Sequence, residues 1–409
     1  MGRLIARGGV LSLVLAIGVA LAVPMTSAVG QRSVKIAPAK LVNATSWAFI
    51  STAQASKKDA FAVGYSKLPS TAPIGLHWDG SAWAVTPMPH PSGGALLYSV
   101  TAVPGTKDYL AGGESCTSVA CPGAYMLGWN GSTWSQMALP PLKWTTDIAG
   151  VSASSPTDAW AVGQSCNNVK FKCNALLLHW NGVKWSQVNV PNLSSIFPAL
   201  YGVVDLSPTD AWAVGSSFLG SLALHWNGRS WVNVPVPSSG GFTEGIDAVA
   251  AIPGTSEIWA LEAASGGQFM LKWNGSAWRG YPLPPARGKL KEYTLSDVAA
   301  SSSGNAWDVG YSFSASDTQP SVTVHWTAGK WSVVSSPSPQ PANELFGVTT
   351  RSASSAFAVG VAYSPFQSTA SGLLLQWNGA TWSRVKVPTP PVPANATRQA
   401  SRLTEGRQF

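Results

Sequence analysis

The sequence predicts an all-β protein: a seven-bladed β-propeller with four antiparallel strands in each blade. Three observations predict it. First, seven pairs of tryptophans recur at one internal spacing: Trp78/Trp83, Trp129/Trp134, Trp180/Trp185, Trp226/Trp231, Trp273/Trp278, Trp326/Trp331 and Trp377/Trp382. They repeat with a period of about 50 residues, which suits a propeller blade and is too long for a TPR or ankyrin unit. Second, the partners flank a turn, usually Asn-Gly-x-x, as in HWNGVKW at 179–185. Asn-Gly between strand-like runs is a strong hairpin signal. Third, 45% of the chain is hydrophobic and only 11% charged, where an average domain carries about 25% charged residues. That balance suits sheets buried on both faces.

From the N-terminus, residues 1–28 read as a secretory signal peptide. Arg3 and Arg7 make a basic start, Val10 to Val23 is apolar and uncharged, and Pro24-Met25-Thr26-Ser27-Ala28 offers small residues for cleavage. The apolar run is short for a span, which needs about 20 residues, so a retained anchor is the alternative reading. Residues 29–41 form a leader in which Ser33-Val34-Lys35-Ile36 alternates as a closing strand would. The repeat body runs from 42 to 388. Its blades are expected at about 42–90, 96–140, 146–191, 199–237, 245–284, 294–337 and 345–388. The tail, 389–409, has too little apolar content to pack and reads as disordered.

Unit 4 shows the four strands most plainly. Ala199 to Val204 is the first. Ser207-Pro208-Thr209-Asp210 turns it, and Ala211-Trp212-Ala213-Val214-Gly215 is the second. Leu222 to Trp226 is the third, and Trp231 to Val234 the fourth. Pro235 and Pro237 end the sheet, because proline cannot donate to the ladder. The second strand recurs as DAFAVG, DYLAGG, DAWAVG, EIWALE, NAWDVG and SAFAVG. Its aromatic position is read as Phe61, Tyr109, Trp160, Trp212, Trp259, Trp307 and Phe357. Repeat-locked rings of this kind pack one blade against the next. They account for 18 of the 20 tryptophans and leave only Trp47 and Trp144 outside the grid.

The pattern resembles the Kelch and galactose-oxidase-like propellers, whose units end a strand in Gly-Gly before a strand, a turn and a tryptophan. Ala111-Gly112-Gly113 keeps the double glycine; other units keep one glycine, as in Val162-Gly163 and Val214-Gly215. The W-N-G-x-x-W form also resembles repeats of secreted bacterial proteins. His77-Trp78-Asp79-Gly80-Ser81-Ala82-Trp83 looks like a unit of the fucose-binding propeller lectins. That resemblance implies sugar sites between blades, built with recurrent Arg and Glu that this chain lacks.

The net charge of +8 does not mark a nucleic-acid-binding face. Residues 1–41 carry +5 and the tail +2, leaving +1 on the repeat body. A nucleic-acid interface needs clustered Lys and Arg on the folded surface. The four cysteines form two close pairs, Cys116/Cys121 and Cys166/Cys173. In an exported chain these read as disulfides, local pairing being favoured among three connectivities. A four-thiolate zinc site is the alternative, but the C-x2-C spacing is missing.

Propeller geometry sorts the loops. Strand 2–3 loops share a face with the connections from one blade to the next, while the Asn-Gly and strand 1–2 turns share the other. The first face carries the variable segments, where binding usually resides. Trp144 lies on it between the two cysteine-bearing loops and is the leading candidate. Trp47, Phe197, Phe242, Tyr293 and Phe346 begin other units on this face and extend the candidate set. The structural alternative is that such rings pad blades or plug the ring. Histidines His77, His179, His225 and His325 hold one repeat position and are spread around the ring, so they read as structural. Asp59, Asp108, Asp158 and Asp210 read as turn residues. No catalytic constellation and no cofactor or metal site is found. Galactose-oxidase-type copper would need loop histidines, and a sialidase arginine triad is not offered by Arg229, Arg279, Arg287, Arg351 and Arg384. The reading is therefore a secreted, monomeric, non-enzymatic propeller that binds a protein or glycan through its loop face. A carbohydrate-binding lectin is the first alternative and a secreted hydrolase or lyase the second.

Overall fold

The computed structural model describes residues 46–390, apart from 68–70, 118–119, 171, 192, 194–196, 238–242, 265–266, 287–291, 314–317 and 365–369. The signal peptide, the leader strand, most of the tail and Phe242 lie outside the described residues. Among those described, 28 strands form seven four-stranded antiparallel sheets, with no helix. In blade 1, β1 (Ser46–Ser56), β2 (Asp59–Lys67), β3 (Thr71–Trp78) and β4 (Trp83–Thr86) pair in chain order, and the other six sheets follow the same plan. First strands of successive blades pack on one another and form the inner ring; fourth strands lie outermost. Each sheet uses consecutive strands only. Closure between blades 7 and 1 is made by side chains and close backbone packing, with Phe357 against Trp83 at 5.2 Å and a Cβ on Gly347 placed 2.8 Å from the Ile50 carbonyl oxygen.

The Asn-Gly turns form because the asparagine carboxamide replaces missing backbone partners. Asn181 Oδ1 accepts from the Val183 and Lys184 N–H groups at 3.0 and 2.9 Å, and Gly182 takes φ +88°. Asn130, Asn227, Asn274 and Asn378 do the same, and Asp79 does so in blade 1. Burial explains the tryptophan grid. The second tryptophan of every pair is buried, and the strand 2 aromatics of six blades reach into the next blade's pair. Trp160 meets Trp226 and Trp231 at 5.1 and 4.8 Å, Trp212 meets Trp273 and Trp278, and Trp307 meets Trp377 and Trp382. Six of the seven blade junctions carry such a three-ring contact.

Blade 2 corrects the expected register. Tyr109 pairs with Trp129, as Ala60 pairs with Trp78, so it occupies the alanine position and faces backward onto Phe61 at 4.7 Å. Leu110 therefore holds the aromatic position, and the junction between blades 2 and 3 packs Leu110 with Trp185. The histidines and turn acids also meet. His77, His179 and His225 Nε2 lie 2.9, 2.7 and 2.9 Å from Asp59, Asp158 and Asp210, and each ring packs against the strand 2 aromatic of its own blade. Blade 6 pairs His325 with Asn305, and blade 5 pairs Lys272 with Glu257. These pairs brace strand 2 to strand 3.

Every first strand carries a β-bulge at one repeat position, the bulged residues being Ile50, Tyr98, Ala149, Tyr201, Asp247, Ser296 and Phe346. The bulge explains the glycine that ends the A-V-G motif. A Cβ on Gly64, Gly113, Gly163, Gly215, Gly310 or Gly360 would sit 1.8–2.2 Å from a carbonyl oxygen of the first strand. Blade 5 has Glu262 at this position, and there the glycine crosses to the first strand as Gly245, at φ +145°.

Candidate binding face

The bulges set the site. All seven bulged residues line a central channel of about 1160 Å³. An extra residue in a strand re-aims a side chain out of the sheet; repeated seven times, it points one residue per blade inward. The wall also holds Asp147, Glu292, Asp297, Glu344, Tyr65, Tyr293 and Tyr311, and among the described residues no Lys, Arg or His. Several acids are braced by hydroxyl or amide donors. The Tyr98 hydroxyl donates to Glu114, the Tyr363 hydroxyl to Glu344 at 2.6 Å, and the Gln164 N–H to Asp147 at 2.9 Å. Burial pushes the Glu114 carboxyl up to about 7, with nearby Asp147 adding to the rise and the Tyr98 bond opposing it. These networks tie down the donors and acceptors of the wall.

Trp144 sits on the loop face, immediately before the first strand of blade 3 (Thr145–Ser155). Its chain neighbours are held from both sides. Ser165 Oγ donates to the Lys143 carbonyl at 2.7 Å, and the Asn168 amide reaches Thr145 Oγ1 at 3.4 Å, both from blade 3. From blade 2, the Pro122 carbonyl accepts the Thr146 N–H at 3.1 Å, and Thr146 Oγ1 accepts the Ala124 N–H at 3.0 Å. Both flanking loops are closed by disulfides, Cys116–Cys121 and Cys166–Cys173. The clamp holds Trp144 at φ +69°, a left-handed conformation that costs a bulky residue about 1–2 kcal/mol. Its ring remains 41% exposed.

Phe197 is a second exposed ring at positive φ one blade on, ahead of the first strand of blade 4 (Ala199–Ser207), with φ +55° and 45% exposure. Among the described residues, only Ala328 joins these two as a non-glycine at positive φ. Strained backbone persists where the surroundings over-determine it, and such positions cluster at functional sites. Next to Phe197 in the ring, Phe218 and Leu219 tip the strand 2–3 hairpin of blade 4, each 70% exposed. Sequence reading missed them because a two-residue link between strands leaves no visible loop.

The other predicted site residues are turned into the ring, Tyr293 and Phe346 at the channel wall and Trp47 in a blade junction. Trp47 is buried against Phe49 and over Gly372, where a Cβ would meet its ring at 2.2 Å; it packs the junction of blades 1 and 7. Phe346 is buried beside Ala48 and forms the blade 7 bulge. Tyr293 packs on the core between blades 5 and 6 and donates its hydroxyl to the Pro284 carbonyl. These three pad the ring, whereas Trp144 and Phe197 present ring area to solvent.

The described residues gather no group of three His, Cys, Asp or Glu side chains in metal-binding geometry. The acids that meet histidines belong to the turn face. There Ser154 Oγ donates to Asp158 and not to His179, so the serine is not aligned on a base as a nucleophile requires.

No protein-family profile matches the chain, and no curated protein matches it in sequence. Solved structures share its fold at low identity. The GH74 xyloglucanase from Xanthomonas campestris aligns at 11% identity and TM-score 0.53, over 83% of this chain and 55% of that one. YCF48 from Cyanidioschyzon merolae aligns at 15% identity and TM-score 0.50, over 82% of this chain and 99% of that one. A polysaccharide lyase, an ulvan lyase, aligns at 8% identity and TM-score 0.50, over 85% and 100%. These similarities speak for the propeller fold alone.

Proposed function

We propose that this chain is a secreted, non-enzymatic propeller that binds a macromolecular partner through its strand 2–3 and inter-blade loops, centred on blades 3 and 4. The observation that carries the reading is the clamp on Trp144. Two disulfide-closed loops from adjacent blades hold a strained, solvent-facing tryptophan on the loop face. A ring meant only for packing would turn inward, as the repeat tryptophans do. Phe197 adds a second exposed ring at positive φ in the next blade, and aromatic anchors dominate binding energy at interfaces. Export through the N-terminal segment suits the disulfides.

A lectin reading with sugars between blades finds less support. The second tryptophan of each pair is buried, and in five of the seven pairs the first donates its indole N–H to its own blade's turn, as Trp180 does to the Pro156 carbonyl at 3.1 Å. Capture from envelope extracts and on glycan arrays tests the proposal. Replacing Trp144 and Phe197 with alanine should abolish capture while leaving the melting profile intact. Undiminished capture refutes it.

A further inference from the structure

We propose that the blade 3–4 sector of the loop face docks onto an anionic lipid bilayer. This rests on the reading that the sector is the working face, and names the surface it meets. Three large apolar residues stand at the tips of two neighbouring hairpins: Val169, 89% exposed, and Phe218 and Leu219, each 70% exposed. The tips are ordered by their own bonds. Asn167 Oδ1 accepts from the Val169 and Lys170 N–H groups at 3.1 and 3.0 Å, and Ser217 Oγ accepts from the Leu219 N–H at 3.2 Å. The high exposure of these tips makes them protruding points of the surface. Grouped apolar exposure marks an interaction site, and convex apolar tips suit insertion among lipid headgroups and upper acyl chains. Aromatic rings such as Trp144 favour that depth.

Charge selects the lipid. Lys143, Lys170 and Lys172 are exposed in this sector, and segments 137–144, 166–173, 188–198 and 217–220 contain no Asp or Glu. The acids that lie close behind these hairpins, Asp147 and Glu262, are held within the protein by the Gln164 N–H at 2.9 Å and by Ser221 Oγ at 2.7 Å. Basic side chains beside apolar tips supply the two signals that stable attachment to an anionic surface requires. A glycan would be met by free amides; here Asn167 Oδ1 and the Asn168 amide are engaged within the protein.

The test is co-sedimentation of the signal-free chain with phosphatidylcholine vesicles, with and without phosphatidylglycerol. Binding is expected only with phosphatidylglycerol and should weaken as salt rises. Phe218→Ser with Leu219→Ser should lower partitioning at least about tenfold, and Lys170→Gln and Lys172→Gln about fivefold each. All lie at exposed tips, and an unchanged melting profile shows that each variant is folded. Absence of vesicle binding, equal binding to both vesicle types, or full binding by the Phe218/Leu219 variant overturns the proposal. If vesicles fail while Trp144→Ala still abolishes capture of an extract component, the lipid assignment falls and the binding face stands. If neither is seen, both fall.

Discussion

The glycine that ends each A-V-G motif should be indispensable wherever a bulge faces it, and Gly215→Ala tests this directly. A Cβ there would lie 2.0 Å from the Ala199 carbonyl oxygen, with the Ala199 carbonyl carbon and Leu200 Cα 2.9 and 2.8 Å away. All three are backbone atoms of the inner strand, so no side chain can rotate to relieve the contact. Either the strands separate by more than about 1 Å or the bulge at Tyr201 is lost, and the cost falls at the upper end of overpacking, about 3 kcal/mol. For a body of roughly 345 residues, an unfolding entropy of about 2.1 cal/mol/K per residue gives about 0.7 kcal/mol/K, so the melting temperature should fall by about 4 °C. Gly280→Ala, with nothing within 4 Å of the added Cβ and no positive φ, should shift it by less than about 1 °C. Blade 5 supplies the compensation, since Gly245 on its first strand accompanies Glu262 on its second. Adding Ala199→Gly to Gly215→Ala should therefore recover at least half the loss. A Gly215→Ala protein that melts with the wild type in calorimetry would refute the bulge as the reason for the motif.

Asp308 fills a position held by alanine in the other blades, is fully buried, and accepts no hydrogen bond at either carboxylate oxygen. Burial first, and then Asp297 and Asp247, push its carboxyl well above the ordinary range. The folded state thus holds this proton more tightly than the unfolded state, and stability present below about pH 4 is lost as pH rises toward the folded pKa. Asp308→Ala should stabilise the protein by about 1–3 kcal/mol near neutrality, with the gain shrinking to near zero as pH falls toward 4 in melting scans. Ala328 turns the blade 6 hairpin at φ +52° without the asparagine used elsewhere. Ala328→Gly should add about 1 kcal/mol in denaturant titration.

Much of the fold is legible because a blade must repeat its packing. The tryptophan pairs, the Asn-Gly turns and strand order all follow from residues at fixed spacing. Bulges are not legible, since the extra residue has no preferred type: Ile50, Tyr98, Ala149, Tyr201, Asp247, Ser296 and Phe346 share a position and nothing else. Tyr109 misleads because an aromatic one residue early still fills the same layer, from the opposite blade face. The meeting of Asp158 with His179 was implicit in their fixed places at the start of strand 2 and the end of strand 3, yet needed the strand register to be seen. At the binding face, departure from the grid marked Trp144. The same reasoning also selected Trp47, whose irregular position serves ring closure instead. Burial, which separates the two, depends on Gly372 leaving room across the junction.

The most direct measurement compares capture by two variants that each remove exposed apolar surface, one from each face of the ring. Trp144→Ala with Phe197→Ala strips the loop face, and Val183→Ala strips an Asn-Gly turn where Val183 is 82% exposed. The account predicts that the first variant loses partner binding at least about tenfold, as expected for central aromatic anchors, while the second binds as the wild type does. Binding lost through Val183 and kept without Trp144 and Phe197 would place the working face on the other side of the propeller.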